Sequence, residues 1–334
     1  MTLLVRNAVL NGYLDLARSL GVDHLPLLRR VGLHPADLVV HNQWIAVDTV
    51  AELLHLSAAA ASVEAFGLRL AENRRLSNLG PISLAAREEP DVRSALSMIS
   101  RYEHLHSEAL HIRVFELDGL ATVKVDLDLS ADTEGRQLIE QTVGTVVRIV
   151  RTLVGVHWKP VTVCFTHMPP TDLTIHHRVL GYAIRFGADF NGLVLYSAEL
   201  DAPNTLSDPL FRPFAQQYIE AIAPARSADE LDRIRNLIEA LLPTGRCSLQ
   251  QVAHTLGIDR KTVHRHLAKS NETFSSILNS VRIKLARQYV GRQSRSLTEV
   301  AQLLGFSELS AFSRWFRREF GTSPKAWRAI RPDA

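Results

Sequence analysis

Residues 252–269, VAHTLGIDRKTVHRHLAK, and residues 300–318, VAQLLGFSELSAFSRWFRR, spell one apolar pattern twice at an offset of 48 positions. In this alignment Ser248, Leu249, Ala253, Leu256 and Gly257 fall on Ser296, Leu297, Ala301, Leu304 and Gly305, with Ile258 on Phe306. Each copy has the parts of a helix-turn-helix. Ser248 with Gln251, and Ser296 with Glu299, are capping boxes that satisfy the free N–H groups opening a first helix. Ala253 and Ala301 are small where two helices approach, and Gly257 and Gly305 supply the positive φ that turns the chain. Asp259 and Ser307 are placed to cap the second helix. Its apolar positions, Val263 and Leu267 in one copy and Phe312 and Phe316 in the other, return to the core and leave the opposite face to solvent.

That free face carries Arg260, Lys261, His264, Arg265 and Lys269 in the first copy, and Leu309, Ser310, Ser313, Arg314, Arg317 and Arg318 in the second. Guanidinium groups pair bidentately with guanine edges, and Lys and peripheral Arg neutralise phosphates. Two such helices about 34 Å apart on one face would enter successive turns of the major groove. The segment between the copies, FSSILNSVRIKLARQYV, repeats Ile277, Val281, Leu285 and Tyr289 at intervals of four, which predicts a spacer helix. A plain helical bundle with solvated arginines is the competing reading, and charge weighs against it. From residue 243 onward there are 16 Lys and Arg against 6 Asp and Glu, a balance of +10, whereas the preceding residues carry 22 against 29, or −7. A basic domain on an acidic body implies a polyanionic partner for the tail alone.

The boundary falls at AIAPARSADE, where Ser227 with Glu230 forms a further capping box before a helix carrying Leu231, Ile234, Leu237, Ile238 and Leu241. Upstream, the first hundred residues read as helices by their three- and four-residue periodicity. LHIRVFELDGLATVKVDLDL then alternates about Asp118-Gly119, the pattern of a tight hairpin. A long helix over 132–155 presents Leu138, Ile139, Thr142, Val143, Val146, Val147, Val150 and Leu153 to one side, as core or as a dimer seam. KPVTVCFTH and NGLVLYS read as strands.

On the residues of the second copy the chain resembles the AraC/XylS family of bacterial transcription regulators. GFSELSAFSRWFRREFGTSPKAWR carries that signature at Gly305, Phe306, Ser307, Phe312, Arg314, Phe316, Phe320, Gly321, Ser323, Pro324 and Arg328. The resemblance implies base contacts from Lys261, His264 and Arg265 in the first unit and from Leu309, Ser310 and Arg314 in the second. It assigns Lys269, Arg317 and Arg318 to phosphate. The family often has Gly before the Phe that opens the spacer helix; here KSNETF offers Asn271, which also tolerates a left-handed backbone. Upstream, NLGPISLAAREEPDVRSALSMISRYEHLH, VCFTHMPP and IRFGADFNGLVLYSAELDAP resemble the long arabinose-binding-like effector domain of one branch of the family. That implies a sensory domain for a small organic molecule, such as an amino acid, fatty acid or other catabolite, and dimerisation; it assigns no pocket residues.

Other chemistries lack their residues. Cys164 and Cys247 stand far apart, without a C-x-x-C, so neither a disulfide framework nor a zinc site is spelled. Eleven of the fourteen histidines lie before residue 243, including His104, His106, His167, His176 and His177, and structural roles account for them better than a metal. Serine-hydrolase, dinucleotide and P-loop motifs are missing. MTLLVRNAVLNGYLDLARSLG interrupts its apolar run with polar residues, unlike a signal peptide. The expectation is an α+β chain: a mixed α/β sensory domain over 1–222, then an all-α DNA-binding domain over 227–334 with helix-turn-helix units at 248–268 and 296–317. It would be a cytoplasmic, homodimeric activator of promoter DNA under small-molecule control, with RNA polymerase as a further partner. No cofactor, metal, membrane or enzymatic activity is expected. The alternatives are a ligand-independent architectural DNA binder and an enzyme domain fused to a DNA reader.

Overall fold

The computed structural model describes residues 2–40, 42–222, 230–245, 247–256, 258–291 and 295–330. The chain divides into two compact units, Met1–Arg226 and Ser227–Ala334. The first mixes helices with sheet, and the described part of the second is helical, in agreement with the periodicities.

Five strands form the main sheet of the first unit: β3 (Leu110–Leu117), β4 (Leu120–Leu127), β5 (Thr162–Cys164), β6 (Ile184–Arg185) and β7 (Gly192–Tyr196), in the order β3-β4-β7-β5-β6. Only β5 and β6 run parallel. The β3–β4 hairpin turns at Asp118 and Gly119, with φ of 50° and 78°. Positive φ at both central residues is what a two-residue turn of the right twist requires. Two further strands, β1 (Leu4–Arg6) and β2 (Trp44–Ala46), pair antiparallel with Val5 opposite Ile45. The first hundred residues are therefore not wholly helical as their periodicity suggests. Three-residue strands have no room to display an alternation.

The helices of this unit are α1 (Tyr13–Ser19), α2 (His24–Arg30), α3 (Pro35–Val39), α4 (Val47–Ala61), α5 (Phe66–Ala71), α6 (Pro81–Arg87), α7 (Val92–Tyr102), α8 (Arg136–Val154), α9 (Thr174–Leu180), α10 (Ser197–Leu200) and α11 (Arg212–Ile222). Helix α8 organises them. Leu138 joins an apolar cluster with α1, α2 and α4, while Ile139, Val143, Val146, Val147, Val150 and Leu153 join a second one against the main sheet. Gln137, Glu140 and Gln141 are buried too, so the helix is enclosed rather than striped, and core packing accounts for its apolar residues. It begins at Arg136, four residues later than its sequence suggests. Asp48 of α4 holds Ser130 through the backbone N–H (2.9 Å) and the hydroxyl (2.6 Å), keeping the preceding segment in a loop. Helix α5 crosses α8 so closely that a Cβ on Gly67 would lie 1.9 Å from the Gln137 carbonyl oxygen. Glycine is required there by backbone proximity.

The second unit contains α12 (Glu230–Leu241), α13 (Leu249–Leu256), α14 (Arg260–Lys269), α15 (Phe274–Gly291), α16 (Leu297–Leu303), α17 (Leu309–Phe320) and α18 (Pro324–Ile330). Ile234 and Ile238 of α12 are buried with Val252, Val263 and Leu267, and the α15 stripe of Ile277, Val281, Leu285 and Tyr289 is buried as well. The capping box expected at Ser227, and the Gly257 turn, lie outside the described residues.

Candidate nucleic-acid interface

In the first helix pair the Ser248 hydroxyl accepts from the Gln251 N–H at 3.2 Å and opens α13. The Asp259 carboxylate caps α14, accepting from the Thr262 N–H and hydroxyl, each at 2.9 Å. Those bonds favour the ionised form and hold the carboxyl below its usual range. Val263 and Leu267 are fully buried, which fixes the rotation of α14. Arg260, Lys261, His264, Arg265 and Lys269 then stand exposed.

In the second pair Ser296 and Glu299 form a reciprocal capping box: Glu299 accepts from the Ser296 N–H at 2.7 Å, and Ser296 accepts from the Glu299 N–H at 3.2 Å. Gly305 takes φ +70° at the turn. Ser307 does not cap α17. Glu308 occupies that position without a side-chain cap, and its carboxylate accepts instead from the Ser310 hydroxyl at 3.0 Å, because the turn places Ser307 one residue too early. Helix α17 is anchored by aromatic packing. Phe306, Phe312, Trp315, Phe316, Phe320 and Trp327 form a continuous set, with Phe316 and Phe320 stacked at 4.2 Å. This leaves Leu309 (39%), Ser310, Arg314, Arg317 and Arg318 exposed and Ser313 half-buried. Ser313, Arg314, Arg317 and Arg318 line one surface depression.

Polar ties from the spacer helix α15 reach the second pair and α18. Arg282 donates to the carbonyls of Leu304 (2.9 Å) and Gly305 (3.2 Å), and its guanidinium lies 4.3 Å from the centre of the Phe306 ring. Asn279 accepts from the Trp315 indole at 2.7 Å and donates to Glu319 at 3.2 Å. Arg328 donates to the Val290 carbonyl at 3.0 Å. No local spacing announces these contacts, which join residues about 20 to 40 positions apart, and sequence reasoning missed Arg282 and Asn279. Asn271, between α14 and α15, takes φ +55° as its composition allows.

Among the described residues, Arg260, Lys261, Arg265, Lys269, Arg314 and Arg317 have no ion-pair partner, whereas Arg318 is paired with Glu319 at 2.9 Å. Unpaired exposed cations on α14 and α17 are suited to a polyanion. The first unit holds a different feature, a cavity of about 60 Å³ between α8 and the β3–β4 hairpin, walled mainly by aliphatic side chains such as Val5, Leu79, Ile112, Val146 and Ile149. Among the described residues no three His, Cys, Asp or Glu side chains group as metal ligands, and no helix is long and apolar enough to cross a membrane. Cys164 and Cys247 are free; burial pushes both thiols up, Cys247 to about 11.

The N-terminal arabinose-binding domain of AraC transcription regulators matches residues 21–204, more than half the chain, and a helix-turn-helix domain matches residues 233–330. The chain belongs to the AraC family. It is similar to the HTH-type transcriptional regulator VirS of Mycobacterium tuberculosis, with 30% identity over 98% of this chain and 96% of that protein. The ornithine utilization regulator of Pseudomonas aeruginosa is 27% identical over 97% of this chain and 96% of its own length. The crystal structure of the transcriptional regulator CdpR from Pseudomonas aeruginosa covers 93% of this chain and 97% of its own at 20% identity, with a TM-score of 0.43. This AraC-family member is thus a transcription regulator with an arabinose-binding-like N-terminal domain and a helix-turn-helix DNA-binding domain.

Proposed function

We propose that the protein is a sequence-specific activator whose residues 227–334 read promoter DNA and whose residues 1–222 sense a small effector. The observation that carries the DNA-reading part is the set of unpaired, exposed cations on α14 and α17. Lys261, His264, Arg265, Leu309, Ser310 and Arg314 read bases. Arg260, Lys269 and Arg317 contact phosphate, and so does Arg318 once it leaves Glu319; Ser313 borders the α17 surface. An architectural binder needs no internal cavity, so the cavity beside α8 favours the effector reading. A relative that regulates ornithine utilization also fits metabolite control. Homodimerisation is supported by an exposed face of α11 carrying Phe211 (just before it), Phe214, Tyr218 and Ile222. Activation and contact with RNA polymerase, like the cytoplasmic location, rest on the family resemblance.

Arg265→Ala and Arg314→Ala test the assignment by binding titration on a cognate site and on single-base variants of it. Each is expected to lose about 1–3 kcal/mol on the cognate site and to relax preference at one base position. Equal loss on every sequence would make that residue a phosphate contact. Affinity should also fall steeply with salt, and salt-independent binding would contradict the electrostatic reading.

A further inference from the structure

Arg74 is 4% exposed, and among the described residues no carboxylate pairs with it. Its terminal nitrogens donate to the backbone carbonyls of Ala8 and Val9, which carry no net charge, and its Nε has no partner. Gln141, 2% exposed, donates from Nε2 to the same Val9 carbonyl at 2.7 Å, and its Oε1 has no partner. Both side chains line the cavity beside α8. Sharing one acceptor brings the guanidinium and the amide together, so the two unsatisfied groups form one polar corner of a mainly aliphatic chamber whose other polar wall residues are Asn78, His106, Ser107, Thr142 and Thr145. Burying a charge without a counter-charge is costly, as is leaving a buried donor or acceptor unmet. The neighbouring groups do not relieve the charge. His106, also on the wall, is kept neutral, its imidazole pushed down to about 4 by burial and by Arg74 and Arg6. Arg74 itself is lowered only to about 10 and stays a cation at neutral pH.

We propose that this chamber binds a short aliphatic monocarboxylate of the 2-hydroxy acid class, with the carboxylate on Arg74, the hydroxyl donating to Gln141 Oε1 and the alkyl group against Val146 and Ile149. One unpaired guanidinium calls for one negative charge. A single orphan acceptor calls for one neutral donor beside it, since an ammonium there would face Arg74. A volume of about 60 Å³ exceeds the roughly 10–15 Å³ that a single water-sized sphere requires, and it suits a body of three or four carbons better than a long chain. The proposal names the ligand class for the effector reading above and rests on it for its regulatory meaning, but the binding site stands or falls by itself.

The test is calorimetric titration of the full-length protein with lactate, lactamide and propionate. Lactate is expected to bind, lactamide at least tenfold more weakly because it lacks the charge, and propionate severalfold more weakly because it lacks the donor. Arg74→Lys, which keeps the charge but changes the fork, should weaken lactate at least tenfold. Thr145→Leu, which fills the chamber from α8 and leaves Arg74 and its carbonyl bonds in place, should abolish binding while the protein stays folded. Equal affinity for lactamide, binding unchanged in Thr145→Leu, or no binding of lactate at millimolar concentration would overturn the site. Equal affinity for propionate would overturn the hydroxyl assignment. A parallel DNA titration separates the two readings: lactate that binds through Arg74 and leaves operator affinity unchanged upholds the site and defeats effector control by it.

Discussion

Arg282→Met removes the most connected of the ties between α15 and the second helix pair. The guanidinium makes two bonds to carbonyls at the end of α16 and covers the Phe306 ring. Hydrogen bonds from a charged donor contribute about 1.5–3 kcal/mol each, and a cation over a ring about 0.5–1 kcal/mol at accessible sites. The arginine is half-buried, so water replaces part of this, and Met retains much of the packing of the stem. The expected net loss is about 2–3 kcal/mol, confined to α16 and α17. Because 1.4 kcal/mol is about a tenfold change in an opening equilibrium, amide hydrogen exchange at Leu304, Gly305 and Phe306 should accelerate by roughly 30- to 150-fold. These amides close the turn on the carbonyls of Val300, Gln302 and Ala301. Peptides from α7 in the same sample serve as the reference, since local opening reports local stability. Acceleration of less than about threefold at the turn, or an equal change in α7, would refute the reasoning.

Two histidines predict opposing pH limbs for the stability of the first unit. His106, pushed down to about 4 by burial, stays neutral in the native state while an unfolded histidine protonates near 6.5, so it lowers stability as pH falls from 6.5 to 4. His111 is raised to about 9 by its bonds to Asp128 and Glu103; its contribution is complete below 6.5 and disappears as pH rises toward 9. Melting temperature of the parent should fall relative to His106→Asn as pH drops from 6.5 to 4, and relative to His111→Asn as pH rises from 6.5 toward 9; pH-independent differences would disprove it. Glu140 is fully buried, with Arg136 at 3.1 Å, His176 at 3.2 Å and His167 at 3.3 Å. Glu140→Leu strands those partners and should cost about 3–5 kcal/mol in urea unfolding; a loss under 1 kcal/mol would show that the cluster carries little.

What could be read from the residues is what local chemistry dictates. Asp118-Gly119 announces its hairpin because the two-residue turn needs positive φ, and Ser296 with Glu299 announces a helix start because the capping bonds span three residues. The exposed face of α14 was legible because Val263 and Leu267 fix its inner side. Long-range placement was not. The β1–β2 pairing joins residues about 40 apart, and nothing in ENRRLSN distinguishes Arg74, whose burial depends on carbonyls from the N-terminal turn and on the packing of α8. Ser307 looked like a cap because Asp259 at the equivalent place is one. The two turns differ by a residue in where the helix begins, and sequence alignment of the copies hides that shift.

The polar ties described for α15 reach the second helix pair and α18, whereas α14 is held by apolar packing, with Val263 and Leu267 in the same core as Ile277 and Val281 of α15. The chain passes from α14 to α15 through the short Ser270–Thr273 bend, where Asn271 holds a left-handed backbone. An added or deleted residue at that bend would have to break this shared core before it could move α14 relative to α17.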